Sequence, residues 1–161
     1  MRQIVQDAIE IQIYSGLFLK CFNQALEERL NEHGENISGL QHGILRMLKH
    51  ESLTISDISR RLSLDPSTVV RAVDSLERKL LAQRGIDPND RRRNPLSITD
   101  KGNNLVKEVP VISTEDAPFQ ALSALGVDSV HQLRDLLREV IGMLPEGKLV
   151  ISLMENGLNS S

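Results

Sequence analysis

A chain of 161 residues with 40% apolar side chains can fill one globular core, with room for a small added subdomain. One cysteine, Cys21, excludes an internal disulfide and fits a reducing cytoplasm; no apolar run is long enough to span a bilayer, and the amino terminus has no signal-peptide pattern. With no tryptophan, one tyrosine and three phenylalanines the core is expected to be aliphatic, and a formal charge of −3 excludes a uniformly basic protein.

From Ile4 to about Leu30, apolar residues recur at helical spacing: Val5, Ile9, Ile13 and Leu17, then Phe18, Cys21, Phe22, Ala25 and Leu30. A long first helix is expected, with Gly16 as a candidate kink and His33-Gly34 as its end. Ile37, Leu40, Ile44 and Leu48 mark a second helix, expected to pack beside the next two.

Those two helices carry more information. In Ile55–Leu62 the apolar residues fall at i, i+3 and i+7, one face of a helix that Thr54 or Ser56 can cap. Ser63-Leu64-Asp65 is too short and polar to extend that face. Asp65-Pro66 then restarts a helix, because an aspartate can cap it and proline needs no amide at the first helical position. In this helix, expected over Pro66–Lys79, Val69, Val73, Leu76 and Leu80 would pack on the first, while Ser67, Thr68, Arg71, Ser75 and Arg78 face away. Such side chains bond phosphates or base edges, but a solvated polar face on an ordinary helical hairpin has the same appearance.

A hairpin pattern downstream separates these readings. Leu81–Ile86 and Pro95–Thr99 are short, partly alternating runs on either side of the loop Asp87-Pro88-Asn89-Asp90-Arg91-Arg92-Arg93-Asn94, and Pro95 belongs at a strand end. Three adjacent arginines repel one another unless anions compensate, and phosphate can join Asp87 and Asp90 in doing so. Two helices joined by a turn, then an arginine-tipped hairpin, argue for a winged helix-turn-helix. In that arrangement the second helix can be placed in a DNA major groove, and the hairpin can reach the neighbouring phosphates or minor groove. Charge is distributed accordingly: Arg60 to Lys101 holds ten Lys/Arg against six Asp/Glu, and the rest of the chain nine against sixteen.

Beyond Gly102 a short helix is expected to about Glu108, with a break at Val109–Ser113. Thr114, Glu115 and Asp116 can open another turn in which Pro118 is tolerable. Asp128 is expected to cap a last amphipathic helix bearing Val130, Leu133, Leu137, Val140 and Leu144, ending at Gly142 and Pro145. The tail holds an apolar patch, Leu149-Val150-Ile151-Leu153-Met154.

The span Thr54–Gly102 resembles the DNA-binding lobe of multiple-antibiotic-resistance-regulator (MarR) type transcription factors. It shares with them a helix-turn-helix, a wing with Asp-x-Arg near its tip (Asp90-Arg91-Arg92) and a Leu-Thr-x-x-Gly step into the next helix (Ile98-Thr99-Asp100-Lys101-Gly102). The order of elements extends the resemblance to about residue 145. It implies that Arg92 enters the minor groove with Asp90 bracing its guanidinium, and that Ser67, Thr68 and Arg71 face the major groove. With Arg84, Arg91 and Arg93 these make up the expected DNA-binding set. The family usually carries glycine where this chain has Leu80, so a different ending of the recognition helix is expected. Its long helix after the wing is interrupted here by Pro110 and Pro118.

The fold expected is mainly α with a small β-hairpin wing, flanked by terminal dimerisation helices. The divisions are a dimerisation helix over 1–34, the winged lobe over 35–101, further dimerisation helices over 102–145 and a tail over 146–161. Family members are homodimers, and two recognition helices would meet half-sites roughly 34–36 Å apart. A monomer whose terminal helices pack on each other is the alternative. The function expected is a cytoplasmic, sequence-specific transcriptional regulator, an effector-responsive repressor on a pseudo-palindromic operator. A winged-helix protein-interaction module without its own operator is the competing reading.

Other candidates carry less. His33, His42, His50 and His131 have no metal-ligand spacing, and no metal or cofactor is expected; His42 stands out because some family relatives bind zinc near that position. Cys21 is either a redox sensor, as in peroxide-responsive relatives, or an inert buried thiol. Tyr14, Phe18, Cys21 and His42 form a candidate effector pocket, with core packing as the plainer account. No phosphate-cradling glycine loop, nucleophile elbow or framed carboxylate pair points to an enzyme.

Overall fold

The computed structural model describes residues 1–86, 94–145, 147–148 and 151–152. The elements are α1 (Arg2–Glu32), α2 (Gly39–Leu48), α3 (Ile55–Leu62), α4 (Pro66–Arg78), β1 (Ala82–Arg84), β2 (Leu96–Ile98), α5 (Asp100–Glu108), α6 (Ala117–Ala124) and α7 (Val127–Gly142). Residues 87–93, which form the expected wing tip, lie outside the described residues, as does most of the expected apolar tail patch.

Capping chemistry defines the starts of the head helices. Ser38 opens α2 with a capping box: its hydroxyl accepts from Gln41 N–H (3.3 Å), and its own N–H donates to Gln41 Oε1 (2.8 Å). Thr54 and Asp57 form the same arrangement at α3, so Thr54 is the cap of the two expected. Asp65 occupies the cap position of α4 without a side-chain cap bond, and Pro66 supplies the first helical residue. The expectation that Asp128 caps the last helix is corrected: Gly126, at φ +81°, precedes α7, and Asp128 lies in its first turn. There its charge still favours the helix amino end.

Val69, Val73 and Leu76 of α4 are fully buried against Ile58, Leu45 and Ile44 in one aliphatic core, which Leu26 and Leu30 of α1 close from the other side. Leu80 does not join them and is 72% exposed. It adopts the left-handed conformation (φ 59°) that glycine would supply in the family, so the helix ends in the same way with the less favourable residue. Leu80 N–H donates to Glu77 O (2.9 Å) and Leu81 N–H to Leu76 O (2.9 Å), a complete Schellman closure with Leu76 and Leu81 buried beneath it.

The wing strands are antiparallel, with Ala82 opposite Ile98 and Arg84 opposite Leu96. Leu53 adds a bridge on the other edge of β2, giving to Leu96 (3.1 Å) and receiving from it (2.8 Å). The Ile98–Gly102 step has a clear role. Thr99 caps α5 by accepting from Gly102 N–H (3.1 Å), and its hydroxyl donates to Leu80 O (2.7 Å).

α1 runs uninterrupted through Gly16, and only its last third enters the core; Ile4 to Leu19 carry a succession of exposed apolar side chains. α7 has no buried residue, and Leu133, Leu136, Leu137 and Val140 stand open. The break after α5 falls at the expected place, and Arg29 of α1 is bonded to it. That guanidinium donates to Pro110 O (3.1 Å) and Val111 O (2.9 Å) and pairs with Asp116. No described helix is long and apolar enough to cross a membrane.

Candidate nucleic-acid interface

The outward face of α4 is polar, as the spacing predicts. Ser67 and Arg71 are exposed, Thr68 is half-buried, and Arg78 continues the face two turns on. Arg71 and Arg78 have no ion-pair partner among the described residues, so both charges are available to an external anion. Val70, which the spacing alone does not single out, is 36% exposed between Ser67 and Arg71 and adds an apolar contact point to that face.

Arg84 is differently placed. Its Nη2 lies 2.7 Å from Asp74 Oδ1, its other Nη pairs with Glu77, and its backbone N–H donates to Glu77 Oε1 (3.1 Å). The wing root is therefore fastened to the recognition helix, and the charge of two carboxylates beside the outward face is partly offset from within. Asp74 and Glu77 stand at i and i+3, which places both on one helical face. That spacing is visible in the sequence, but their partner is not. Asp90, Arg91, Arg92 and Arg93 lie outside the described residues.

The four candidate effector residues are not brought together. Tyr14 is 62% exposed, and its hydroxyl donates to Glu10 Oε2 (3.2 Å). Phe18 meets Phe22 edge-on with ring centroids 4.9 Å apart. Cys21 is half-buried and lines a cleft of about 400 Å³ between α1 and residues 113–118, together with Gln24, Ala25, Glu28 and Asp116. His42 is enclosed in the core, where its Nε2–H donates to Val109 O (3.2 Å). Burial pushes the imidazole below its ordinary value of 6.5, helped by the nearby charges of Arg46 and Arg29 and opposed by the Val109 bond. No group of His, Cys, Asp or Glu among the described residues has the arrangement to hold a metal ion.

Comparison with known proteins agrees with this architecture. The family model described as MarR family matches residues 35–93, which contain α2, α3, α4 and β1. The chain is 35% identical to the transcriptional repressor MdtR of Bacillus subtilis over 96 residues, 58% of this chain and 62% of MdtR, so it spans less than two thirds of that relative. It is 31% identical to the transcriptional regulator TcaR of Staphylococcus aureus over 120 residues, covering 72% of this chain and 78% of TcaR. A crystal structure of a mutant of E. coli MarR complexed with operator DNA superposes with a TM-score of 0.72 at 22% identity, over 83% of this chain and 95% of that one. That likeness is one of fold. With the helix-turn-helix, the wing root and the Thr99–Gly102 step in place, the extent of the match to TcaR and the match to the family model show that the chain belongs to the MarR family.

Proposed function

We propose that the protein is a sequence-specific double-stranded DNA-binding transcriptional regulator, a repressor acting as a homodimer in the cytoplasm. The observation that carries this reading is the outward face of α4, where Arg71 and Arg78 have no ion-pair partner among the described residues and stand beside a wing root fastened to the same helix. Ser67, Thr68 and Arg71 read the major groove, and Arg91, Arg92 and Arg93 reach the backbone or minor groove, with Asp90 bracing Arg92. Arg84 holds the wing to α4 through its pairs with Asp74 and Glu77. The repressor name of MdtR and the operator complex of MarR support the reading. The exposed apolar sides of α1 and α7 supply the dimer interface, and two-fold symmetry directs the two reading heads at an inverted repeat. A small-molecule effector would act through differential affinity for dimers of different head spacing.

Selection of bound sequences from a random duplex pool, followed by titration across a salt series, tests this. Recovery of an inverted repeat whose binding weakens with added salt is the expected result. Equal retention of all duplexes, or none, would transfer the protein to the class of interaction modules without an operator.

A further inference from the structure

The break between α5 and α6 is where this chain departs from an unbroken helix after the wing, and Arg29 is bonded to it at three points. Arg29 lies on the last part of α1, the helix whose first 20 residues carry the exposed apolar face. Its two Nη atoms take three acceptors in the break: Pro110 O at 3.1 Å, Val111 O at 2.9 Å, and the carboxylate of Asp116. Asp116 is itself 7% exposed, and its second oxygen accepts from Ser113 N–H at 2.8 Å, so the carboxylate closes the turn while holding the guanidinium. At the start of the break, Val109 is fully buried and His42 of α2 donates to its carbonyl. The reading head thus holds the entrance of the break, and α1 holds the remainder.

α6 follows Asp116 directly and packs on α1, and α7 follows α6. A planar fork with two occupied ends fixes direction as well as distance, which a flexible ammonium does not. Leu26 and Leu30 are buried in the core, so α1 has an anchor there that does not run through the Arg29 side chain.

We propose that Arg29 is a positioning residue: by clamping the α5–α6 break onto α1, it sets the angle between the reading head and the α6–α7 arm, and so the half-site spacing that the dimer accepts. This rests on the reading of the protein as a dimeric DNA-binding regulator. One base pair of added spacer displaces a half-site by about 3.4 Å along the duplex and turns it by about a tenth of a rotation, so a fixed angle rejects altered spacers.

The test takes the inverted repeat recovered by the wild-type protein and varies its centre-to-centre spacing by one and two base pairs either way. Arg29→Met and Asp116→Asn are compared with wild type on each duplex, and on duplexes with one half-site base changed. For the wild type, a penalty of about tenfold for a one-base-pair change is expected, comparable with a mismatched base. In the variants the spacing penalty should shrink to about threefold or less, while the single-base penalty is retained. A merely stabilising role would weaken all duplexes together and leave both penalties alike. Unchanged spacing discrimination, or parallel loss of both, overturns the proposal. Sedimentation and far-ultraviolet circular dichroism establish that each variant is a folded dimer. Should Arg29→Met not fold, the milder Asp116→Asn decides the matter by the same criteria. Failure of the wild type to prefer any inverted repeat would instead remove the underlying regulator reading.

Discussion

The α-carbon of Gly102 sits directly against the carbonyl of Leu81: a methyl group added there would lie 2.1 Å from that oxygen and 2.9 Å from Ile98 Cγ1. The first contact is with backbone, so rotation of a side chain cannot relieve it. Gly102→Ala should push the start of α5 off the wing root and cost about 3 kcal/mol or more, the upper end for overpacked sites. Urea denaturation reads this directly. An unfolding midpoint within error of wild type would show that the α5–wing contact is slack.

Leu80 carries a cost in the native structure, because its left-handed backbone is disfavoured for a side chain by about 1–2 kcal/mol. Its side chain is largely in water, so little packing is lost on removal. Leu80→Gly should therefore stabilise the protein by about 0.5–1 kcal/mol, after allowing for the greater freedom of glycine in the unfolded chain. Thermal and urea unfolding should both shift upward.

His42 gives stability a dependence on acidity. Because burial holds the folded imidazole below its ordinary 6.5, the unfolded chain takes up this proton first as pH falls. The contribution of the neutral ring is complete above about pH 7, declines as pH drops through about 6.5 toward the lowered folded value, and then levels off. His42→Gln keeps a side-chain donor for Val109 O without that titration. Its urea midpoint should change less between pH 7.5 and 5.5 than that of wild type; parallel profiles would show that His42 is not the group responsible.

Arg84→Gln separates bracing from folding. The pairs with Asp74 and Glu77 are more than a third exposed on the arginine side, so the loss in stability should be below about 1 kcal/mol. Duplex affinity at low salt should nevertheless fall about tenfold, since two carboxylates on α4 would lose their counter-charge close to phosphate. Adding Asp74→Asn should recover part of that loss. If the double variant binds no better than Arg84→Gln, masking of Asp74 is not the mechanism.

α7 has no buried residue within its own chain, so a charge placed on it tests assembly with little disturbance of the head. Leu137→Glu should sediment as a monomer at micromolar concentration while retaining a cooperative unfolding transition. Loss of the transition along with the dimer would mean that the head does not fold without its partner.

The winged lobe is legible in the sequence because its signals are local. Ile55, Ile58 and Leu62 share a face within two turns, Asp65-Pro66 restarts the helix, and Thr99 stands three residues before Gly102. The boundaries of α3 follow from such short-range patterns, and both strands of the hairpin fall within the expected runs, Ala82–Arg84 in the first and Leu96–Ile98 in the second. Leu80 escapes the pattern because heptad-like spacing continues on paper for one residue after the backbone has turned away. The Arg29 clamp is out of reach of local patterns: Arg29 and Asp116 are 87 residues apart, and nothing near either one marks it as paired. Helical spacing likewise puts Tyr14 and Phe18 near Cys21 along α1, but cannot reveal that His42 is turned into the core toward Val109.

At 31 residues, α1 extends roughly 45 Å, and the head secures only its final portion. On the proposed dimeric reading, a newly made subunit would carry the exposed apolar rod of α1 uncovered until another copy arrived. Assembly would shield the rod, and scarcity of the protein would then remove it from DNA by dissociation. Promoter occupancy in the dilute regime would then rise with at least the square of subunit concentration, giving even an effector-free regulator a threshold.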